Sequence, residues 1–534
     1  MFRPANFFLG LLSFASGSSL VEAIGKIEWK GPCSMHNQTA PMICGTLEVP
    51  LDYTDSSSQK TLTLQLAKIA AIEKPRGKSV LLNFGGPGED SLTSLAGIGA
   101  EFQAIFGGHS DLITFNTRGV GSTLPFSCYN SAAERITALM EAPIYSNASD
   151  TAPGSAWAAA TNYANTCYAR MNETGGLVGT AFIARDMMQI VDALDEDGLL
   201  HYWGFSYGTA LGATVAAMFP DRMGRVILDG VLNPYEYYHG YDNQQLADND
   251  EVFAGFCSAC LEAPKLCPLA SLASSGPDLK EKLYQMLETI KYHPIPLGAT
   301  LMDYIEVKGT LFNDLYNPID WPALSDVLYA VMNRNVTALA AYMRSQGGAS
   351  TAQDSLQGIK CGDKTVRASS FEQFRPIMER AYQTSRTSGD VNVHVNMECA
   401  QWKMSAKEHY MGNFRVKTGN PILLIGNTWD PVTPFESAQN LSDALEGSVL
   451  LQHNGYGHSS VAQPSLCTGM VVREYFLHGT LPPKGKVCQP SIPPFSRNDW
   501  KNVFPQPQVG GGLEKVLLNA MIGLRQKMSR QKGI

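Results

Sequence analysis

The stretch Trp203-Gly204-Phe205-Ser206-Tyr207-Gly208-Thr209 decides how the rest of this sequence is interpreted. It contains the pattern G-x-S-x-G, preceded by the largely apolar residues 199–202 and followed by Ala and Gly in residues 210–213. In this pattern a serine lies at a sharp turn from a strand into a helix, and glycines flank it because the two backbones crowd there. The turn presents the Ser206 hydroxyl and directs the N–H of Tyr207 toward an oxyanion. So short a pattern also arises by chance, so its interpretation depends on the surrounding chain.

Composition and charge narrow the class of protein. The chain has 534 residues, of which 44% are hydrophobic, so it is long enough for more than one domain with a sizeable core. Its formal net charge is −8 without a long basic run, which argues against nucleic acid as a partner. Residues 1–23 contain one Arg and a short apolar block, a pattern that predicts a signal peptide. That block is too short for a bilayer, which needs about 20 residues, so we expect a secreted protein without an integral membrane span.

Sequons and cysteines fit a secretory route. The chain has eleven cysteines, which in a secreted protein suggest a disulfide framework with one odd thiol. Cys257 and Cys260 have the spacing of a zinc or redox pair, but no second pair or nearby His completes such a site. No metal or organic cofactor is therefore predicted. Five N-x-S/T glycosylation sequons begin at Asn37, Asn147, Asn172, Asn335 and Asn440.

Strand and helix patterns alternate on both sides of the serine. Buried strands are predicted at residues 79–84 and 112–115 before it and at residues 225–228, 421–426 and 448–451 after it. An amphipathic helix is predicted over residues 180–194. This alternation is typical of an α/β fold with a mostly parallel central sheet flanked by helices.

The strand pattern is interrupted over residues 233–414, which read as helical segments with clustered cysteines and predict an inserted lid. Residues 24–232 and 415–504 would then be the two parts of the core. Residues 505–534 form a basic amphipathic tail, for which docking on the body or mobility is favoured over a membrane-surface helix.

Three further features supply what acyl transfer at a serine requires. The turn Gly85-Gly86-Pro87-Gly88 ends a strand where an α/β hydrolase has its second oxyanion donor, although it could be an ordinary turn. Asp430 and His458 follow apolar strands in the chain order serine, acid, histidine of that fold. His458 lies in a glycine-flanked loop, whereas the competing His453 directly follows strand residues. Asp229 also ends a strand and is the alternative acid, but an Asp that starts a turn is most often a capping group.

The sequence resembles the tripeptidyl aminopeptidase-like branch of the α/β hydrolases, which is related to prolyl aminopeptidases of peptidase family S33. The similarity covers most of the mature chain and suggests the secreted fungal type. It rests on the elbow, the glycine turn and the segments 117–122, 228–231, 359–363, 430–434 and 457–459. The resemblance implies Ser206 as nucleophile, Asp430 as orienting acid, His458 as general base, and the backbone N–H groups of Gly86 and Tyr207 as the oxyanion hole.

The same resemblance, together with neighbourhood in the chain, suggests five disulfides and leaves Cys257 free. The expected pairs are Cys33–Cys44, Cys128–Cys167, Cys260–Cys267, Cys361–Cys399 and Cys467–Cys488.

The resemblance implies a serine hydrolase that works through an acyl-enzyme, most simply an exopeptidase that releases residues or short peptides from peptide amino termini. The alternative is a hydrolase of small-molecule esters, lactones or amides in fungal secondary metabolism. A non-catalytic binding protein is a third reading, against which the intact set of three residues argues.

Two departures from the family pattern, Asn116 for Asp and Phe84 for His, leave the substrate pocket open. An aminopeptidase must pair the substrate amine with carboxylates, and Asp242, Asp248, Asp250 and Glu251 could do so, although an acidic run is more often a solvated face. Asp363 and Glu398 are expected to be structural or surface groups.

Overall fold

The computed structural model of the chain describes residues 25–140, 145–345, 354–496 and 512–530. The signal peptide predicted for residues 1–23 lies outside the described residues. The strands are β1 (Glu28–Cys33), β2 (Met42–Pro50), β3 (Thr61–Ile69), β4 (Val80–Asn83), β5 (Leu112–Asn116), β6 (Leu200–Phe205), β7 (Met223–Asp229), β8 (Ile295–Pro296), β9 (Leu301–Met302), β10 (Val416–Lys417), β11 (Leu423–Trp429), β12 (Leu445–Glu446), β13 (Val449–Tyr456) and β14 (Val487–Cys488).

Helices separate most of these strands. They are α1 (Ser91–Ile105), α2 (Ala132–Met140), α3 (Ala152–Met171), α4 (Thr180–Leu194), α5 (Tyr207–Met218), α6 (Pro234–His239), α7 (Asn249–Glu262), α8 (Gly276–Tyr292), α9 (Tyr304–Leu315), α10 (Trp321–Met332), α11 (Val336–Ser345), α12 (Ser355–Asp363), α13 (Phe371–Thr384), α14 (Val393–Ala400), α15 (Phe435–Ala444), α16 (Leu466–His478) and α17 (Gly512–Arg530).

Ten of the strands form one sheet in the order β1-β2-β3-β5-β4-β6-β7-β11-β13-β14. The first three strands pair antiparallel, as β3 does with β5, whereas every pairing from β5 to β14 is parallel. This topology confirms the predicted α/β-hydrolase fold, a mostly parallel sheet flanked by helices. Because parallel strands end at the same edge, the loops after β4, β6, β7, β11 and β13 gather there.

Both faces of the sheet are covered, which explains why its central strands read as continuous apolar runs. Every residue of β6 is buried. Its alternate side chains enter different cores: Tyr202 packs on the face covered by α4 and α5, and Trp203 and Phe205 pack on the face covered by α1, α16 and α17. The strand is therefore held rigidly at the point where Ser206 begins the turn.

Nine helices, α6 to α14, lie between β7 and β11 in the part of the chain that the structure describes. We call residues 230–422 the helical insert. Part of it has its own apolar core, in which Phe256 and Trp321 pack edge to face with ring centroids 5.7 Å apart. The two strands that bound the insert pair directly, with Ile227 opposite Leu423, so the insert leaves and re-enters the sheet between neighbouring strands.

The structure contains the five disulfides that were expected, and Cys257 is free and buried. The described part of the tail, α17, packs against α1 and α16 and buries Leu517, Met521 and Leu524 in the second core. Arg525 of this helix is buried as well, so it is not part of a basic surface as the sequence suggested. Within the described ranges, no helix has the length and apolar character needed to cross a membrane.

Candidate active site

Ser206 occupies a strained turn between β6 and α5. Its φ of 55° and ψ of −122° place a residue with a side chain in a sparsely populated backbone region. Three hydrogen bonds hold it there: the Ser206 N–H donates to the Asp229 carbonyl at 3.1 Å, and the N–H and hydroxyl of Thr209 donate to the Ser206 carbonyl at 2.8 and 2.6 Å. Such strain persists where the surroundings over-determine it, and the observed backbone matches the predicted elbow.

The two glycines of the pattern are there because strand and helix nearly touch. A Cβ atom on Gly204 would lie 2.5 Å from the Gly208 carbonyl oxygen, and a Cβ atom on Gly208 would lie 2.8 Å from Asn83 Oδ1. The Tyr202 hydroxyl donates to the same Gly208 carbonyl at 2.8 Å. A side chain at Gly204 would therefore push α5 away from β6, and one at Gly208 would push α5 away from the end of β4; either shift would displace the serine.

His458 and Asp430 form a hydrogen-bonded pair at the ends of β13 and β11. The His458 Nδ1 atom lies 3.1 Å from each carboxylate oxygen of Asp430. The buried carboxylate also accepts from the backbone N–H groups of Val432, Thr433 and Ser459 and from the Thr433 hydroxyl. Burial alone would raise the pKa of Asp430, but His458 and these donors hold it below its usual range. The carboxylate is therefore a fixed negative charge that orients the imidazole.

Asp229 connects the histidine loop to the serine turn. Its backbone carbonyl accepts the Ser206 N–H, while its buried carboxylate accepts the Ser460 N–H at 2.8 Å and the Ser460 hydroxyl at 2.6 Å. Burial raises the pKa of Asp229 to about 6 despite the bonds from Ser460. Asp229, the alternative acid, thus bonds Ser460, whereas Asp430 bonds His458.

His453, the competing base, is a core residue. It lies within β13, which extends to Tyr456 and is longer than the predicted strand. Its Nδ1 atom is 2.9 Å from the Thr468 hydroxyl, and burial lowers its pKa to about 4. At neutral pH it is an uncharged imidazole committed to a structural hydrogen bond.

The glycine loop lies directly against the serine turn. A Cβ atom on Gly85 would lie 2.8 Å from Ser206 Cβ and 2.9 Å from the Phe205 carbonyl oxygen, and its φ is +102°. The sequence marks both glycines as positions of close approach and assigns the oxyanion donor to Gly86; the contact with Ser206 is made by Gly85. The structure brings the loop and the first turn of α5 to Ser206; that the N–H groups of Gly86 and Tyr207 bind an oxyanion stays a prediction.

Gly85→Ala is expected to lower kcat by about 100-fold, because a displacement of about 1 Å at a nucleophile has an effect of that order. Hydrolysis of a p-nitrophenyl ester by purified protein measures it. The matched control is Gly77→Ala, where the new Cβ atom would meet its nearest neighbour at 3.4 Å, an ordinary contact. Equal kcat values for the two variants would contradict the close approach.

The four acids considered for the substrate amine have different environments. Asp242 is buried and forms ion pairs with Lys360 and Lys364, so it is neither a solvated residue nor free for an amine. Asp250 accepts hydrogen bonds from the Ser385–Thr387 segment. Glu251 is exposed. Asp363 and Glu398, the two acids that lie beside cysteines in the sequence, are both buried, so neither is a surface group.

Asp248 and Glu89 are partly buried acids near the site. Burial raises the pKa of Asp248 to about 6, and its charge is close enough to Asp430 for the two carboxylates to repel. Glu89, which no sequence motif marks, directly follows the glycine loop; burial raises its pKa, and it accepts a hydrogen bond from Ser94 at 2.8 Å. Among the described residues, no Lys or Arg forms an ion pair with either carboxylate.

An aromatic wall from the insert lies beside the histidine. The backbone N–H of His458 donates to the backbone carbonyl of Tyr316 at 2.7 Å. The Tyr316 ring stands edge-on to the His458 imidazole, with ring centroids 5.4 Å apart. Phe312 packs on Tyr316 in an apolar cluster that includes Val432, two residues after Asp430. No sequence pattern marks this wall, because its residues are far from the motifs along the chain.

This chain is similar in sequence to known hydrolases. A family model described as alpha/beta hydrolase fold matches residues 78–296, which include Ser206, and one described as TAP-like protein matches residues 385–488, which include Asp430 and His458. Serine protease Hip1 of Mycobacterium tuberculosis is 28% identical over 488 residues, covering 86% of this chain and 91% of the relative.

Two further relatives have other names. Tripeptidyl aminopeptidase of Streptomyces coelicolor is 25% identical, covering 88% and 87% of the two chains, and Carboxylesterase B of M. tuberculosis is 26% identical, covering 84% and 86%. A solved hydrolase from Pseudomonas aeruginosa aligns with a TM-score of 0.31 and 11% identity over 77% of this chain and 91% of its own. The sequence similarities support a serine hydrolase of the α/β-hydrolase fold with a TAP-like region.

Proposed function

We propose that this protein is a secreted serine exopeptidase that releases residues or short peptides from peptide amino termini. The observation on which the proposal rests is the arrangement of three loops at one sheet edge. Ser206 lies on a strained elbow, Asp229 ties that elbow to the histidine loop, and Asp430 orients His458 through two 3.1 Å contacts. The peptidase names of two relatives, Serine protease Hip1 and tripeptidyl aminopeptidase, support the substrate class.

The proposed reaction proceeds through an acyl-enzyme. His458 takes the proton of the Ser206 hydroxyl as its oxygen attacks the substrate carbonyl carbon, and Asp430 stabilises the resulting imidazolium. The N–H groups of Gly86 and Tyr207 bind the oxyanion. His458 then protonates the leaving amine, the C–N bond breaks, and the acyl group remains on Ser206. A water that His458 deprotonates hydrolyses this ester and releases the free carboxylic acid.

The helical insert, with boundaries near the predicted 233–414, would act as the lid over this site. The aromatic wall beside His458 supports that role, because Tyr316 and Phe312 both belong to the insert. A cover of this kind limits how much of a peptide chain can extend beyond the scissile bond.

Secretion is supported by covalent and surface features. Five disulfides are typical of proteins that fold outside the reducing cytosol. The side chains proposed for N-glycosylation are all exposed, as attachment of a glycan requires. They are Asn37, Asn147, Asn172, Asn335 and Asn440.

A panel of chromogenic substrates tests the function. Purified mature protein is assayed with tripeptidyl, prolyl and other aminoacyl anilides, each with a free and an acetylated amine, beside short-chain esters. Ser206→Ala protein purified in parallel identifies contaminating activity. We expect cleavage of free-amine anilides that is lost in the variant. Ester turnover without anilide cleavage would instead support the second candidate, a small-molecule ester hydrolase, which the carboxylesterase relative favours.

Asp248 and Glu89 are the carboxylates that we propose for the substrate amine, because both are partly buried and have no ion-pair partner among the described residues. Asp248→Asn or Glu89→Gln is expected to raise KM for free-amine anilides by roughly 10- to 150-fold, from the 1.5–3 kcal/mol of a hydrogen bond to a charged group. KM for acetylated substrates or esters should stay unchanged. Glu251→Gln, at an exposed carboxylate on the same helix as the Asp248 cap, is the control. An equal rise for blocked substrates would show a general distortion instead.

A further inference from the structure

A buried carboxylate of the insert reaches toward the serine turn. Asp363 is the last residue of α12 and is fully buried. It accepts three hydrogen bonds: from the Thr180 N–H at 2.9 Å, from the Thr180 hydroxyl at 2.5 Å and from the Tyr237 hydroxyl at 2.9 Å. Thr180 is the first residue of α4, so its N–H would otherwise have no partner within the helix. The Asp363 side chain therefore bonds the insert to the core.

The chain of hydrogen bonds continues to the residue after the proposed nucleophile. Because the Thr180 hydroxyl donates its proton to Asp363, it can only accept from Tyr207, whose hydroxyl lies 2.6 Å away. Tyr207 begins α5, directly after the strained Ser206, and its ring is buried against the ring of Tyr237 at a centroid distance of 5.8 Å. Two consecutive hydrogen bonds therefore connect the Asp363 carboxylate to the side chain of Tyr207.

We infer that Asp363 is a positioning residue that acts through Thr180 and Tyr207 to fix the direction of the Tyr207 backbone N–H. The inference rests on the proposed function, in which that N–H binds the oxyanion. A strained turn relaxes unless its neighbours over-determine it, and the Tyr207 hydroxyl is the far end of the side chain next to the strained residue. Anchoring that end keeps the peptide unit between Ser206 and Tyr207 from rotating as charge develops on the substrate.

The test uses the conservative variant Tyr207→Phe, which keeps the buried ring and removes only the anchored hydroxyl. We expect kcat for p-nitrophenyl butyrate to fall about 5- to 30-fold with KM within twofold, a fraction of the 10²–10³-fold effect of deleting a donor. The rate at which a fluorophosphonate labels Ser206 should fall by the same factor. Thr180→Val and Asp363→Asn should reproduce this kcat loss, and Thr180→Val serves if the aspartate variant folds poorly.

Tyr163→Phe is the matched control. Tyr163 is also a buried tyrosine, and its hydroxyl donates to the buried Asp354 that precedes the same helix α12, at the end away from Asp363. This variant should keep kcat and the labelling rate within twofold of the parent protein, whatever its effect on the melting temperature. Equal losses in Tyr163→Phe and Tyr207→Phe, or a change in KM alone, would overturn the positioning role.

Labelling separates this inference from the proposed function. A parent protein that reacts with the fluorophosphonate at Ser206 but cleaves no free-amine anilide overturns the exopeptidase proposal, and slow labelling of Tyr207→Phe would still support the positioning role. A protein that cleaves the anilides while Tyr207→Phe labels at the parental rate overturns the positioning role and leaves the exopeptidase proposal standing.

Discussion

Replacing His458 with alanine is expected to lower kcat/KM by on the order of 10⁵- to 10⁶-fold, the scale found when the base of a serine triad is removed. The reason is that the Ser206 hydroxyl would lose the group that takes its proton, while the substrate site stays in place. KM should therefore change little, and kcat should account for the loss. Steady-state hydrolysis of the best substrate of the panel gives both constants.

The matched control is His453→Asn, at a histidine that lies in β13 five residues before His458. His453 is buried and bonded to Thr468, so its replacement should lower the melting temperature but leave kcat of the folded protein within about fivefold. A loss of kcat in His453→Asn as large as that in His458→Ala would refute the assignment of the base.

Asp430→Asn is expected to lower kcat by about 10⁴-fold with little change in structure. An amide in place of the carboxylate can donate a hydrogen bond to His458 Nδ1 and so favours the tautomer in which Nε2 carries the proton, which cannot accept one from Ser206. Because the pKa of Asp430 lies below its usual range, the parent carboxylate is ionised throughout the neutral range. The deficit should therefore be present at pH 8 as well as at pH 6, which pH-dependent kinetics will show.

Asp229→Asn tests the other acid. Its carboxylate bonds Ser460 and not His458, so we expect a kcat loss of less than about 10-fold. The Asp229→Asn substitution should also remove the dependence of the free energy of unfolding on pH that this carboxylate causes. With a pKa of about 6 in the folded protein and 3.8 as the ordinary value, Asp229 binds more protons folded than unfolded between these values. The parent's free energy of unfolding should fall as pH rises from about 4 to 6. A larger kcat loss in Asp229→Asn than in Asp430→Asn would reverse the assignment.

What the sequence predicts well here is local. The elbow, the strands around it and the helix over residues 180–194 could be read from short motifs and apolar periodicity, because burial on both sheet faces forces those patterns. The order of Ser206, Asp430 and His458 could be proposed because the fold fixes where the strands end. The same logic explains why β13 was predicted too short: its last residues alternate with polar ones, and the boundary is set by pairing with β11.

What the sequence does not predict depends on contacts between distant segments. Asp363 and Thr180 are 183 residues apart, and Asp229 and Ser460 are 231 apart, so nothing near either residue announces its partner. Asp242 stands near an acidic run in the sequence, yet it is buried because Lys360 of α12 and Lys364, the residue after that helix, compensate its charge. The sequence does not distinguish the roles of Gly85 and Gly86, because both fit the same description until the space around each is known.

The direct pairing of β7 with β11 has an evolutionary consequence. The insert begins and ends on neighbouring strands, which are about 4.8 Å apart in any sheet, so a segment of any length could be spliced in at this point without shifting the strands that position the triad. Recombination could thus change substrate range in one step. The bond between Asp363 and Thr180 restricts this freedom, because an incoming segment would have to supply its own acceptor for the start of α4. Relatives whose inserts differ in length should therefore retain an acceptor at the position of Asp363.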